Sequence, residues 1–194
     1  MEVVLASGNA GKLREFAAIL ADAGLVLRPQ SDFNITPPPE DAPTFVENAL
    51  VKARHASRVS GLPAIADDSG LEVDALGGQP GVRSARYAGE PADDAANNAR
   101  LLKALDGVPD EQRTARYRAV LVFLRAPDDP APAIAEATWD GHIGAQPRGT
   151  GGFGYDPLFV LPDGSTAAEL DPAAKNRESH RGKALRILAE KVSP

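Results

Sequence analysis

The sequence predicts an α/β protein built on a mixed β-sheet, and three observations carry that reading. Short β-branched runs alternate with helical apolar spacing through the first half of the chain, the pattern of strands joined by helices. Arg116 to Leu124 (RYRAVLVFL) is the clearest strand, and Ile134 to Trp139 follows as an antiparallel neighbour. No internal repeat or low-complexity segment breaks the 194 residues, so one domain over 1–194 is expected.

Each element has a local reason. Glu2 to Ala6 (EVVLA) reads as a short strand, and Lys12 to Ala21 as a helix with Leu13, Phe16, Ala17 and Leu20 at helical spacing. Gly24 fits a helix C′ position, and Leu25 to Arg28 reads as a second strand. The prolines of 36–43 lack N–H donors and exclude helix or central strand there. Thr44 and Glu47 make a capping box that opens a helix to about Val59, and Gly61 ends it. Phe45, Ala49, Lys52, Ala53 and Ala56 fall near one face, so Lys52 either points towards a site or snorkels to solvent.

Pro63 to Ala66 is an apolar run expected to end at Asp67-Asp68-Ser69-Gly70, before Leu71 to Leu76 and a Gly77-Gly78 turn. Asp93 or Asp94 caps a helix to about Leu105. Pro157 to Leu161 is another strand, and Ser179 caps a last helix through about Val192.

Composition narrows the function. A net charge of −6 argues against a general nucleic-acid binder, which needs a basic surface to displace phosphate counterions. It leaves room for one small basic pocket. With no cysteine, disulfides and thiolate metal sites are excluded. No run approaches the roughly 18 apolar residues of a membrane span, and no secretory signal pattern is visible. A cytoplasmic protein with no membrane partner is the expectation.

Several segments carry chemistry. Ser7-Gly8-Asn9-Ala10-Gly11-Lys12 joins a strand to a helix, where backbone N–H groups and the dipole favour an anion and Lys12 adds a point charge. An ordinary Gly-rich turn is the alternative. It is not a Walker loop, because only Asn9 and Ala10 separate the glycines and Leu13 follows the lysine. Asp67 and Asp68 stand at a predicted strand end, a common ligand position in α/β sheets. Successive strand residues face opposite ways, so one of the two faces any given site unless the chain turns sharply. Such acids hold a hard cation such as magnesium or take a proton from water; an Asx-turn with Ser69-Gly70 is the alternative. Glu40 adds a third acid on the proline-stiffened loop.

Gly149 to Asp156 carries four glycines, which points to close backbone approach. Its Phe153 is either a stacking platform for a nucleobase or a buried ring, with Asp156 an acceptor for a ring N–H. Ser179-His180-Arg181 places two donors at a helix start against the dipole, a local conflict that marks functional positions. His180 and Arg181 suit a carbonyl such as a purine 6-oxo group, and Lys175 a phosphate or base. His55 and His142 have no metal-like partners in sequence.

Taken together, Ser7 to Lys12, Thr44-Phe45-Val46-Glu47-Asn48-Ala49, Ala66 to Leu71, Gly81-Val82-Arg83-Ser84-Ala85-Arg86-Tyr87, Gly151 to Asp156 and Ser179 to Gly182 closely resemble the inosine triphosphate pyrophosphatase family, in order and across nearly the whole chain. The resemblance implies magnesium-dependent hydrolysis of ITP, dITP and XTP to the monophosphate and pyrophosphate. It implies a homodimer with a long central mixed sheet between two α/β lobes and the substrate in the cleft. By position, Ser7, Gly8, Asn9, Ala10, Gly11 and Lys12 bind the triphosphate, Asp68 is proton acceptor and magnesium ligand, and Glu40 helps hold the metal. Ser69, Phe153, Gly154, Tyr155, Asp156, Lys175, His180 and Arg181 match substrate-binding positions, and Lys52 joins them as a candidate from its own helix face. Which of Asp67 and Asp68 takes the proton stays open. A pyrophosphatase of modified pyrimidine triphosphates and a non-catalytic nucleotide-sensing or RNA-binding module are the competing readings.

Overall fold

The computed structural model describes residues 1–192, with eleven principal elements among them. They run β1 (Glu2–Leu5), α1 (Ala10–Leu20), β2 (Val26–Pro29), α2 (Phe45–Ser60), β3 (Ala64–Val73), α3 (Asp94–Ala104), β4 (Thr114–Leu124), β5 (Ala133–Ile143), β6 (Phe159–Val160), α4 (Pro172–Glu178) and α5 (His180–Val192). The strands form one six-stranded sheet in the order β2-β1-β3-β4-β5-β6. β1 is parallel to β2 and β3, and β5 is antiparallel to β6, so the sheet is mixed as expected.

The chain divides into two compact units. The first gathers Met1–Asp68, Ala119–Ala137 and the chain from Arg181 onwards. Alternation along its strands builds two cores. Val3 and Leu5 lie with Phe16 and Leu20 of α1 and Leu185 and Leu188 of α5, while Val4 lies with Ala49, Ala53 and Ala56 of α2. The second unit gathers Ser69–Arg118 and Thr138–His180. Its single cluster packs Leu71 and Val73 of β3 with Leu101 and Leu105 of α3, and with Tyr117, Trp139, Leu158 and Phe159.

Most caps follow the local chemistry. Thr44 Oγ1 accepts the Glu47 N–H at 3.3 Å and donates to the Glu47 carboxylate at 2.5 Å, while Gly61, at φ 71°, closes α2. Asp93 caps α3 by accepting the Ala96 N–H at 2.8 Å.

Four expectations are corrected. β3 does not stop at Asp67-Asp68; it runs through Ser69 and Gly70 to Val73. The turn preference of D-D-S-G yields to pairing with neighbouring strands, which is tertiary and invisible in the local sequence. β5 runs four residues beyond Trp139, and β6 shrinks to Phe159–Val160. A helix was also missing from the sequence reading: α4 begins where Asp171 accepts the Ala173 and Ala174 N–H groups at 3.0 Å each, with Pro172 in its first turn. Ser179 therefore ends α4 as α5 begins.

Candidate active site

In the first unit the two adjacent aspartates take different partners. Asp67, only 2% exposed, receives Lys12 Nζ at 2.8 and 3.1 Å, with Arg181 Nε at 3.8 Å. Burial alone would raise its pKa, but the charges of Lys12, Arg181 and Lys52 overcome this and hold the carboxyl well below the usual carboxylate range. Asp68 points to the other partner set: Lys52 Nζ lies 3.2 Å from Oδ1, and Asn48 Nδ2 donates to Oδ2 at 3.2 Å. Burial, with Glu40 adding its charge, raises the Asp68 pKa against the opposing pull of Lys52 and Asn48. Strand alternation thus gives one acid whose pKa its cationic neighbours lower and one whose pKa burial raises.

Lys52 is the hinge of this cluster. Its ammonium sits 3.2 Å from Asp68 and 3.3 Å from Glu40 Oε2, among the alanines of α2. Burial opposes its charge, yet Asp68, Asp67 and Glu40 raise its pKa, so it stays protonated. Asn48, one helical turn earlier, also accepts the Ala42 N–H at 3.0 Å and so ties down the proline loop that carries Glu40. Sequence reading missed Asn48. Its (i, i+4) spacing to Lys52 was the available signal.

The loop before α1 is occupied by its own side chains. Asn9 Oδ1 accepts the N–H groups of Gly11 and Lys12 at 2.8 and 3.1 Å, and Ser7 Oγ accepts the Asn9 N–H at 3.2 Å. Two of the amides expected to face an anion are therefore taken up by the Asn9 cap.

In the second unit the glycine loop supports an acid, a lysine and a ring. A Cβ on Gly149 or Gly151 would run into the Ala168 backbone at 2.7 and 2.8 Å. One on Gly152, at φ 76°, would strike the Asp156 carboxylate. Close approach is thus the reason for these glycines. Asp156 is buried and accepts the Phe153 N–H at 2.7 Å and the Tyr117 hydroxyl at 3.2 Å, and it pairs with Lys175. Phe153 is 59% exposed, with the Lys175 ammonium 4.7 Å from its ring centre. The ring is therefore exposed and not buried.

α3 holds the next residue at both ends: Asp94 accepts the Gly154 N–H at 2.7 Å, and Asn98 donates to the Gly154 carbonyl at 2.8 Å. Tyr155 differs from its neighbours. Its ring is buried in the core and its hydroxyl donates to the Ser84 carbonyl at 2.7 Å.

His180 and Arg181, consecutive on α5, take different partners. The His180 ring stacks on Tyr117 in the second unit, at 4.8 Å and 9°. Arg181 belongs to the first unit, beside Asp67 and 3.6 Å from Glu15. Ser69 lies half-buried on β3. His55 Nε2 meets the Thr36 carbonyl at 2.9 Å.

Among the described residues no group of three or more His, Asp or Glu converges as a metal site. Glu40 and Asp68 nevertheless converge on one cation, the Lys52 ammonium. Two carboxylates without a full protein cage fit a hard divalent ion that completes its shell with water and phosphate oxygens.

The mixed six-stranded sheet with its flanking helices defines an α/β protein; one unit holds a carboxylate–lysine cluster, and the other holds an exposed ring beside an acid–lysine pair. The family model described as the Ham1 family matches residues 3–191, and the chain belongs to that family. It is 58% identical over 193 residues to a dITP/XTP pyrophosphatase of Thioalkalivibrio sulfidiphilus, covering 99% of this chain and 98% of the relative. A dITP/XTP pyrophosphatase of Shigella flexneri is 55% identical over 190 residues, covering 97% and 96%. Among solved structures, a HAM1 protein from Coxiella burnetii superposes with a TM-score of 0.95 at 47% identity, covering 99% of this chain and 98% of that one. A nucleoside-triphosphatase and dITP/XTP pyrophosphatase from Mycobacterium abscessus gives 0.82 at 43%, covering 97% of each.

Proposed function

We propose that the protein is a nucleoside triphosphate pyrophosphatase that hydrolyses dITP, ITP and XTP to the monophosphate and pyrophosphate, with magnesium as cofactor. It works in the cytoplasm as a homodimer and removes deaminated purines from the nucleotide pool. The observation that carries the proposal is the placement of Lys52 between Glu40 and Asp68, two carboxylates converging on one positive charge. The full-length likeness to dITP/XTP pyrophosphatases supports the same reading.

The roles divide by unit. Magnesium, when held by Glu40 and Asp68, supplies charge neutralisation to the triphosphate. Asp68 takes the proton of the water that attacks the α-phosphorus, and pyrophosphate departs with the electrons of the broken P–O bond. Asp67 stays an anion and directs Lys12 and Arg181, while Lys12, Lys52 and the Ser7–Gly11 loop orient phosphates. Phe153 stacks on the base, and Asp156, Lys175 and His180 read its edge. A 6-amino group in place of the 6-oxo acceptor leaves donors unpaired, which costs several kcal/mol by the general asymmetry of buried hydrogen bonds.

Incubation with ITP and magnesium, followed by ion-exchange chromatography, should yield IMP and pyrophosphate. Absence of these products, or equally fast turnover of ATP, overturns the proposal. Faster turnover of methylated dTTP than of dITP would favour a pyrimidine enzyme instead. Asp68→Asn should lower kcat by at least about a hundredfold, the usual scale of a lost general base, while the protein still unfolds in one cooperative transition.

A further inference from the structure

Tyr117 lies on β4, where the alternation Thr114-Ala115-Arg116-Tyr117-Arg118 sends the arginines to one face. Arg116 pairs with Asp74 at 2.8 Å and Arg118 with Glu72 at 3.1 Å, while Tyr117 is buried on the opposite face with Ala115. There it meets two of the proposed base-reading residues at once. Its hydroxyl donates to Asp156 Oδ1 at 3.2 Å, and its ring lies nearly flat on the His180 imidazole at 4.8 Å and 9°. Phe159, 4.6 Å away and tilted 52°, and Trp139, at 6.5 Å, wedge the phenol in place.

We propose that Tyr117 is a positioning residue for base recognition, fixing the Asp156 carboxylate through its hydroxyl and the His180 ring plane through its face. The proposal rests on the base-reading role assigned above to Asp156 and His180. A phenylalanine would fill the same volume and keep the stack, so packing alone does not account for the hydroxyl. A buried hydroxyl needs a partner, and this one is spent on the carboxylate that also accepts the Phe153 N–H and pairs with Lys175. With the Oδ1 side held, Oδ2 stays directed at Phe153 and Lys175. One phenol thereby fixes the acid, the exposed ring and the lysine on one side and the imidazole on the other. Burial and the Asp156 charge push the phenol pKa well up, so the group remains an O–H donor at working pH.

Tyr117→Phe tests this against packing. The ratio of kcat/KM for ITP over ATP should fall roughly tenfold, the scale of one hydrogen bond to a charged acceptor, with most of the loss in KM for ITP. Trp139→Phe, in the same aromatic cluster, should lower Tm and leave the ratio as in wild type. Asp156→Asn should lower the ratio at least as far as Tyr117→Phe. An unchanged ratio in Tyr117→Phe beside a reduced one in Asp156→Asn overturns the role of Tyr117. An unchanged ratio in Asp156→Asn overturns the base-reading assignment beneath it. Equal losses of ratio in Tyr117→Phe and Trp139→Phe, or a Tyr117→Phe protein that does not fold, reduce the tyrosine to a packing residue and also overturn the proposal.

Discussion

Asp67 and Asp68 differ by one position and by everything that surrounds them. Lys12 and Arg181 hold the first as an anion, and the linkage this sets up has a definite sign. A carboxyl whose folded pKa lies below its unfolded value adds stability above about pH 4, and that stability fades as the pH falls below it. Asp67→Asn should therefore shallow the acid limb of the stability curve below pH 4, measured by urea unfolding at successive pH values. At neutral pH it should cost roughly 1–3 kcal/mol, because Lys12 and Arg181 lose a buried acceptor. Unchanged acid unfolding would show that the pair contributes nothing. The acids themselves were legible in the sequence as candidates; their division of labour was not. It depends on β3 passing straight through both residues, and on lysines from α1 and α2.

Elements were legible where local chemistry decides them. Thr44, Glu47 and Gly61 announced α2, and the structure returns Phe45–Ser60. Thr44→Ala should cost about 1 kcal/mol of stability through the lost cap. Because α2 carries Asn48 and Lys52, the same change should raise amide exchange through its first turn and lower kcat in step; a melt unaltered from wild type would contradict the cap's role. Where tertiary pairing decides, the sequence misled. D-D-S-G has the composition of a turn and the structure of a strand interior. α4 had a legible start in Asp171-Pro172, yet at seven residues it is too short to show apolar periodicity. The glycine loop was read correctly as a place of close backbone approach. Its hold on Asp94 and Asn98 spans about sixty residues of sequence, and no local pattern could reveal it.

At the scale of the molecule, the ordered motifs were enough to point to nucleotide chemistry. What they could not show was Tyr117, which reads as a core aromatic until its partners are known. Sedimentation equilibrium at micromolar protein should give twice the chain mass if the homodimer proposal holds, and the single-chain mass would refute it. Removing divalent ions with a chelator should stop ITP turnover while leaving the thermal melt in place, since the described cores are apolar and Lys52 already pairs with both Glu40 and Asp68.

The cap on α1 has a bearing on selectivity in a crowded solution. Asn9 keeps the Gly11 and Lys12 amides satisfied, so an arriving anion exchanges one acceptor for another and gains only the difference. A lone inorganic phosphate has nothing further to offset that exchange. A nucleoside triphosphate brings a base, a sugar and a metal along with its phosphates. On the proposed phosphate role of the loop before α1, this exchange would disfavour a lone small anion relative to a ligand with several points of attachment.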